Sequence, residues 1–311
     1  MRWDGFTAST RNALFALLML GAPLMATALD IDALWDFADP ALSEQRFRAA
    51  MTTAAGDVKV ELQTQVARTF SLRRRFDDAH RELDVVEAQL NTTGTAVHVR
   101  YRLERGRTFN SAGERTRARL LFEDAFERGR QAGLDGLAVD AAHMVAITHG
   151  GSDEALRWNA LGLELARGSG DAKARSLIPA MLNNSAWDLH EMGRFGQALP
   201  LFEQALQAWT ERQRPRQIEI ARWAVARCLR SLSRFDEALA MQQALHAEIT
   251  GFGRSDAYVD EELGENLLAL GRGADAKPHF ARAAEVLAQD ASFAKREPAR
   301  LARLRRLALD P

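Results

Sequence analysis

Seven histidines, at positions 80, 98, 143, 149, 190, 246 and 279, and a single cysteine, Cys228, are the first places to look for chemistry in this 311-residue chain. A zinc-protease helix needs two histidines on one face, four residues apart, with a glutamate after the first. His190-Glu191 begins that pattern, but Arg194 stands where the second histidine belongs. His149-Gly150-Gly151-Ser152 has the look of a hydrolase oxyanion loop, yet the chain holds no Gly-x-Ser-x-Gly elbow to go with it. A Gly-Lys-Ser/Thr phosphate loop and a dinucleotide fingerprint are missing too. The histidines are scattered along the chain, and Asp260-Glu261-Glu262 lacks the ligand spacing of a calcium loop. Cys228 lies beside Leu229 with nothing nearby to lower its pKa, so it reads as a small buried hydrophobe. One cysteine allows neither an internal disulfide nor a cysteine-based zinc or iron–sulfur site. The expectation is therefore no catalytic residue, no metal ligand set and no cofactor.

The elements that would carry any site follow from composition and period. With 41 basic and 42 acidic side chains the net charge is -1, so no global field draws nucleic acid or an anionic membrane. The 47% hydrophobic and 27% charged residues are those of a folded chain, and Ala, Leu, Arg and Glu favour helix.

A motif recurs in which a turn containing a small or basic residue is followed by an alanine. Its copies are Arg74-Arg75-Phe76-Asp77-Asp78-Ala79, Gly113 to Ala118, a degenerate Gly150 to Ala155, Gly193 to Ala198, Ser233 to Ala238 and Gly271 to Ala276. The alanines are 39, 37, 43, 40 and 38 residues apart. Around each turn, apolar residues fall at helical spacing: Leu182, Ala186 and Leu189 before the fourth, and Ala198, Phe202, Ala205 and Leu206 after it. Such a pair of helices cannot bury its apolar face alone, so about six units must stack. Small residues at matched places let the paired backbones approach, and the aromatic residues wedge the gap.

These features resemble the tetratricopeptide repeat (TPR) family, best seen in Asn184-Ser185-Ala186-Trp187-Asp188-Leu189 through Gly193-Arg194-Phe195 to Ala198, Phe202 and Ala205, and in the parallel stretch Ala226 to Ala238. The period here, near 39, exceeds the family's usual value of about 34, which implies longer helices. The resemblance implies an all-α fold: a right-handed superhelical solenoid of about six helix-turn-helix repeats with a terminal capping helix. The expected organisation is a leader at 1–28, an N-terminal helical cap at 29–59, the repeat array at 60–290 and a C-terminal capping helix at 291–311. The arginines of that last helix (Arg296, Arg300, Arg303, Arg305 and Arg306) are expected to form its solvated outer face.

In solenoids of this family the first helices line a concave face along which partners lie. The lining expected here is Asn183, Asn184, Trp187 and His190 in the fourth unit, Trp223, Arg227 and Arg230 in the fifth, and Tyr258 with Glu261, Glu262 and Glu265 in the sixth. Glu104, Arg107 and Asn110 are the counterparts in the second. Trp187, Trp223 and Tyr258 are aromatic anchors of the kind that dominates interface energy. Arg227 and Arg230, near Asn184, would hold a carboxylate or a peptide backbone, unless they pair with the neighbouring glutamates instead. The function expected is an adaptor for a protein or peptide, with a self-associating assembly or regulatory factor as the alternative and an enzyme on a solenoid as a remoter one. No nucleic acid or stable membrane insertion is expected, and the oligomeric state is left open. Residues 1–28 have the basic start, short apolar run (Ala13 to Leu20) and small residues of a secretory signal, which points to export; a cytoplasmic start at Met25 is the alternative.

Overall fold

The computed structural model describes residues 29–310, so the leader pattern at 1–28 lies outside it. Among the described residues the regular structure is helical: α1 (Pro40–Met51), α2 (Gly56–Leu72), α3 (Phe76–Glu87), α4 (Thr95–Ala112), α5 (Arg115–Gln131), α6 (Asp135–His149), α7 (Asp153–Gly168), α8 (Ala172–Ser176), α9 (Ile178–Glu191), α10 (Phe195–Glu211), α11 (Pro215–Ser231), α12 (Phe235–Gly251), α13 (Ala257–Ala269), α14 (Gly273–Gln289), α15 (Ala291–Arg296) and α16 (Pro298–Leu309). The six repeat units are the pairs α2/α3, α4/α5, α6/α7, α9/α10, α11/α12 and α13/α14. The degenerate third motif is a true unit turn, because Ser152 caps α7 by accepting from the Ala155 amide at 3.2 Å. The longest alanine spacing, from Ala155 to Ala198, contains the extra helix α8.

Each unit turns at one residue with a left-handed backbone. It is glycine at Gly113 (φ 93°), Gly151 (70°), Gly193 (74°) and Gly271 (74°), but Arg74 (59°) and Ser233 (61°) hold the same place in the first and fifth units. In every unit but the third, the amide beyond that residue donates back five residues, as from Arg194 to the Leu189 carbonyl at 2.8 Å and from Arg272 to Leu267 at 2.8 Å. This closes the first helix and aims the second back along it.

Within a unit the two helices meet at the fourth residue after the key alanine. In the first, second, fourth and sixth units that residue is Leu83, Phe122, Phe202 and Phe280, none more than 1% exposed. The facing residue must then be small. A methyl group added to Gly106 would come within 2.5 Å of the Phe122 ring, and one added to Gly264 within 2.7 Å of Phe280. The third and fifth units place Asn159 and Gln242 at this position, equally buried. The first helices of successive units also pack on one another, α2 on α4, α4 on α6 and α11 on α13, and so form one wall of the solenoid.

The two ends are closed differently from one another. At the C-terminus Leu301, Leu304 and Leu307 of α16 join the core of the sixth unit. The arginines of α16, expected to face solvent together, divide instead. Arg300 reaches back to Glu261, with Nε–Oε1 at 2.9 Å, and Arg303 pairs with Glu265, while Arg305 and Arg306 are exposed. The reason is register: positions 300 and 303 flank the buried Leu301 and Leu304 and so face α13. At the N-terminus, residues 31–37 lie across the first-helix wall. Trp35 donates from Nε1 to Gln65 Oε1 at 3.1 Å, and the Arg68 guanidinium stands 5.3 Å from the Trp35 ring. Asp32 reaches Lys173 of α8, Nζ–Oδ2 2.6 Å, more than 140 residues away in sequence.

Candidate partner-binding site

The first-helix wall changes character along its length. In the N-terminal half it is charged, and its charges pair largely with one another. Arg107 donates to Glu104 at 2.8 Å and to both oxygens of Asp140, at 2.5 and 2.6 Å. Burial works against the Arg107 cation, but Asp140 and Glu104 more than offset it and raise its pKa; burial likewise opposes the Asp140 carboxylate, but Arg107 outweighs it and holds Asp140 below the ordinary carboxylate range. Segment 31–37 lies over this region through Trp35 and Arg68.

In the C-terminal half the wall is aromatic. Trp187 packs edge-on against Phe202, ring centroids 5.0 Å apart, and lies 5.9 Å from Trp223. Trp223 lies 6.3 Å from Tyr258, which lies 6.5 Å from Phe293. The series follows from the repeat, because Trp187, Trp223 and Tyr258 stand on the first helices of successive units. The Trp223 indole N–H donates to the Tyr258 carbonyl at 3.1 Å, which ties the two rings' helices together.

Beside Trp223 and Tyr258 is a cleft of about 310 Å³, floored by Leu245, Ile249 and Val259 and walled by Ile220. Its rim carries Arg216, Glu219 and Asp256. Glu219 is held by Arg254, with Nη1–Oε2 at 3.1 Å, and by Arg216 at 2.9 Å. Those hydrogen bonds keep its carboxyl below the usual range despite burial. Ile220 is 49% exposed and Tyr258 42%, so both remain accessible. Spacing on the first helices points to Tyr258 and Trp223; Ile220 and the rim were not legible, because their convergence depends on how α11 and α13 pack.

The remaining expected residues are brought into the same half but are engaged with one another. Arg230 forks onto Glu262, with Nε–Oε2 at 2.7 Å and Nη2–Oε1 at 3.1 Å, and Arg227 Nε lies 3.2 Å from Glu262 Oε1. Of the two arrangements open to this pair of arginines, the structure has the one in which they pair with the neighbouring unit. Asn183 donates to Asn184 at 3.4 Å, and Asn184 contacts His143 Nε2 at 3.4 Å. His190 Nε2 is 2.9 Å from Ser231 Oγ, a pair that sequence spacing does not reveal. Burial, with Arg227 and Arg230 nearby, lowers the His190 pKa. Ser231 also donates to the Arg227 carbonyl at 3.2 Å, and no acidic group among the described residues orients His190, so this is not an activated nucleophile. Burial also pushes the Cys228 thiol up to about 11, as befits an inert core residue.

A tetratricopeptide repeat family model matches residues 177–247, the fourth and fifth units. No curated protein sequence matches the chain. Solved structures share its fold at low identity. The apo form of RapI superposes with a TM-score of 0.67 at 10% identity, covering 84% of this chain and 74% of RapI. NprR in complex with its cognate peptide NprX gives 0.54 at 15% identity, covering 88% and 80%. A tetratricopeptide repeat protein from Parabacteroides merdae gives 0.52 at 14%, covering 90% and 97%. Residues 177–247 thus carry the tetratricopeptide repeat motif, and the described residues share the solenoid fold of those structures.

Proposed function

We propose that the chain is a protein-interaction scaffold that holds an extended peptide or a helical segment of a partner protein along the first-helix wall of the fourth to sixth units. The observation that carries this reading is the open apolar cleft between Ile220 and Tyr258, continuous with the Trp187–Trp223 series. An apolar recess with a polar rim suits a single aliphatic or aromatic anchor side chain. Trp187, Trp223 and Tyr258 supply rigid contact area, while Asn183, Asn184 and His190 offer polar contacts further along. Arg227 and Arg230 shape the wall through Glu262 and are assigned no direct role in grasping a carboxylate. The opposite half of the wall already carries residues 31–37 of the chain itself, which leaves the C-terminal half for a partner. NprR, similar in fold, was solved with a peptide bound, which agrees with this reading. The leader pattern favours an exported protein, which the intact mass of the natively made chain would check.

The test is selection from a displayed random-peptide library, followed by direct titration of the enriched peptides. Peptides sharing one apolar anchor are expected. Their affinity should fall at least ~10-fold in Tyr258→Ala and in Ile220→Glu, the cost of losing a buried anchor contact. Both positions are exposed enough for the fold to survive, which circular dichroism would verify. Failure to enrich any peptide, or peptides indifferent to both substitutions, would reject the cleft; a concentration-dependent dimer blocked by Ile220→Glu would favour self-association.

A further inference from the structure

Far apart in sequence, His246 of α12, Asp260 of α13 and His279 of α14 converge on one point. Each offers one ligand atom, and these atoms lie within 4.8 Å of one another. His279 Nδ1 is 2.8 Å from Asp260 Oδ1, and His246 Nε2 is 3.6 Å from the same oxygen. The two imidazole rings stand 5.8 Å apart, nearly perpendicular. Asp260 is 3% exposed, held in the first turn of α13 between two second helices, and it is not among the residues that line the aromatic cleft.

The cluster is not satisfied by its own hydrogen bonds. Arg282 donates to Asp260 Oδ1 at 2.8 Å, and its Nη2 also lies 2.6 Å from His279 Nδ1. That one ring nitrogen cannot serve both neighbours. Carrying a proton, it donates to Asp260 but opposes the N–H groups of Arg282. Without the proton, it accepts from Arg282 but sets its lone pair against the carboxylate. A cation at this point would turn the three opposed lone pairs, Nδ1, Oδ1 and the His246 Nε2, into ligands. We infer that His246, Asp260 and His279 form a binding site for a divalent first-row transition metal, with zinc the best-matched ion. Two imidazoles and one carboxylate are a borderline donor set that suits zinc, and three protein ligands leave one position for water. The side chains need only small rotations to bring ligand atoms to the roughly 2.0–2.2 Å that zinc requires. Arg282, whose side chain is 45% exposed, is the competitor for the site and must swing into solvent when the ion binds. An ion here would tie the last two units together across three helices.

The experiment uses the full chain, stripped with a chelator and titrated with Zn²⁺ by calorimetry and with Co²⁺ by visible absorption. One equivalent should bind, with a tetrahedral or five-coordinate Co²⁺ spectrum and a rise in Tm. His279→Gln and His246→Gln should each weaken Zn²⁺ binding more than ~10–100-fold, the cost of losing a mere supporting group behind a ligand. Arg282→Ala, which removes the competitor, should tighten it. His246 is partly exposed, so His246→Gln keeps the test decisive if the other variants fail to fold. Absence of stoichiometric binding, or binding undiminished in His246→Gln, would overturn the assignment and leave a structural His–Asp–Arg network.

Discussion

Gln242 shows most directly how a single side chain can depart from the repeat. It sits where other units place leucine or phenylalanine, it is 0% exposed, and neither its Oε1 nor its Nε2 has a protein partner. A buried amide without partners costs about 1–3 kcal/mol. Gln242→Met keeps the length of the side chain and removes both polar atoms, so it should stabilise the protein by about 1–2 kcal/mol in chemical denaturation. His190 acts at the same scale through pH. Burial first, then Arg227 and Arg230, lower its folded-state pKa below the ordinary value of 6.5. The unfolded chain therefore takes up a proton near pH 6.5 that the folded chain refuses. Stability should be full above that pH and fall as pH drops through it towards the folded pKa. His80 and His143 are lowered in the same direction, by burial above all. His190→Gln should thus reduce, without abolishing, the loss of stability between about pH 7 and pH 5.5. Its share should be a fraction of the ~1.4 kcal/mol per pH unit that one full proton gives. An unchanged slope in that variant would mean that His190 is protonated equally in both states.

Among the elements, the turn between paired helices is the informative one. Four of the six units use glycine at the left-handed position, whereas Ser233 adopts φ 61° with a β-carbon present. The left-handed conformation costs a residue other than glycine roughly 1–2 kcal/mol, offset in part by the greater freedom of glycine in the unfolded chain. Ser233→Gly should therefore raise stability by up to ~1 kcal/mol and leave helicity unchanged; a drop in Tm would show that the serine is making a contact worth more than the strain. The same turns explain why a period near 39 stays in register. Each connection is held by the backbone itself or, in the third unit, by Asp188 and the Ser152 cap, so the length of a unit resides in its helices, and the one larger spacing is absorbed by α8.

For the whole molecule, the two ends decide how much of the first-helix wall is open. The helix α16 packs on α14, adds its leucines to the core that holds Leu263 and Leu267, and, through Arg300 and Arg303, neutralises Glu261 and Glu265. Removing residues 298–311 should expose this core and leave Glu261 and Glu265 without their arginine partners. The outcome expected is a Tm lowered by several degrees together with association on size exclusion, since a solenoid without its cap presents an apolar end. A truncated chain as stable and monomeric as the full one would make α16 an appendage.

The helical repeat, its six turns and the placing of Trp187, Trp223 and Tyr258 on first helices were determined by the sequence alone. Each rests on spacing within some 40 residues, and helical period and turn chemistry are local properties. Arg227 and Arg230 could be placed on the wall by the same reasoning, but whether they faced a ligand or Glu262 could not, because the answer lies 32 or more residues away across a helix pair. Only the tertiary structure decided that Arg300 and Arg303 turn inward, that Asp32 meets Lys173, that Ile220 joins Tyr258 at one cleft, and that His246 and His279 share Asp260. Those contacts depend on the rotation of each unit against the next. That rotation is set by volumes such as Gly264 under Phe280, summed over the whole stack, and a linear pattern does not record it.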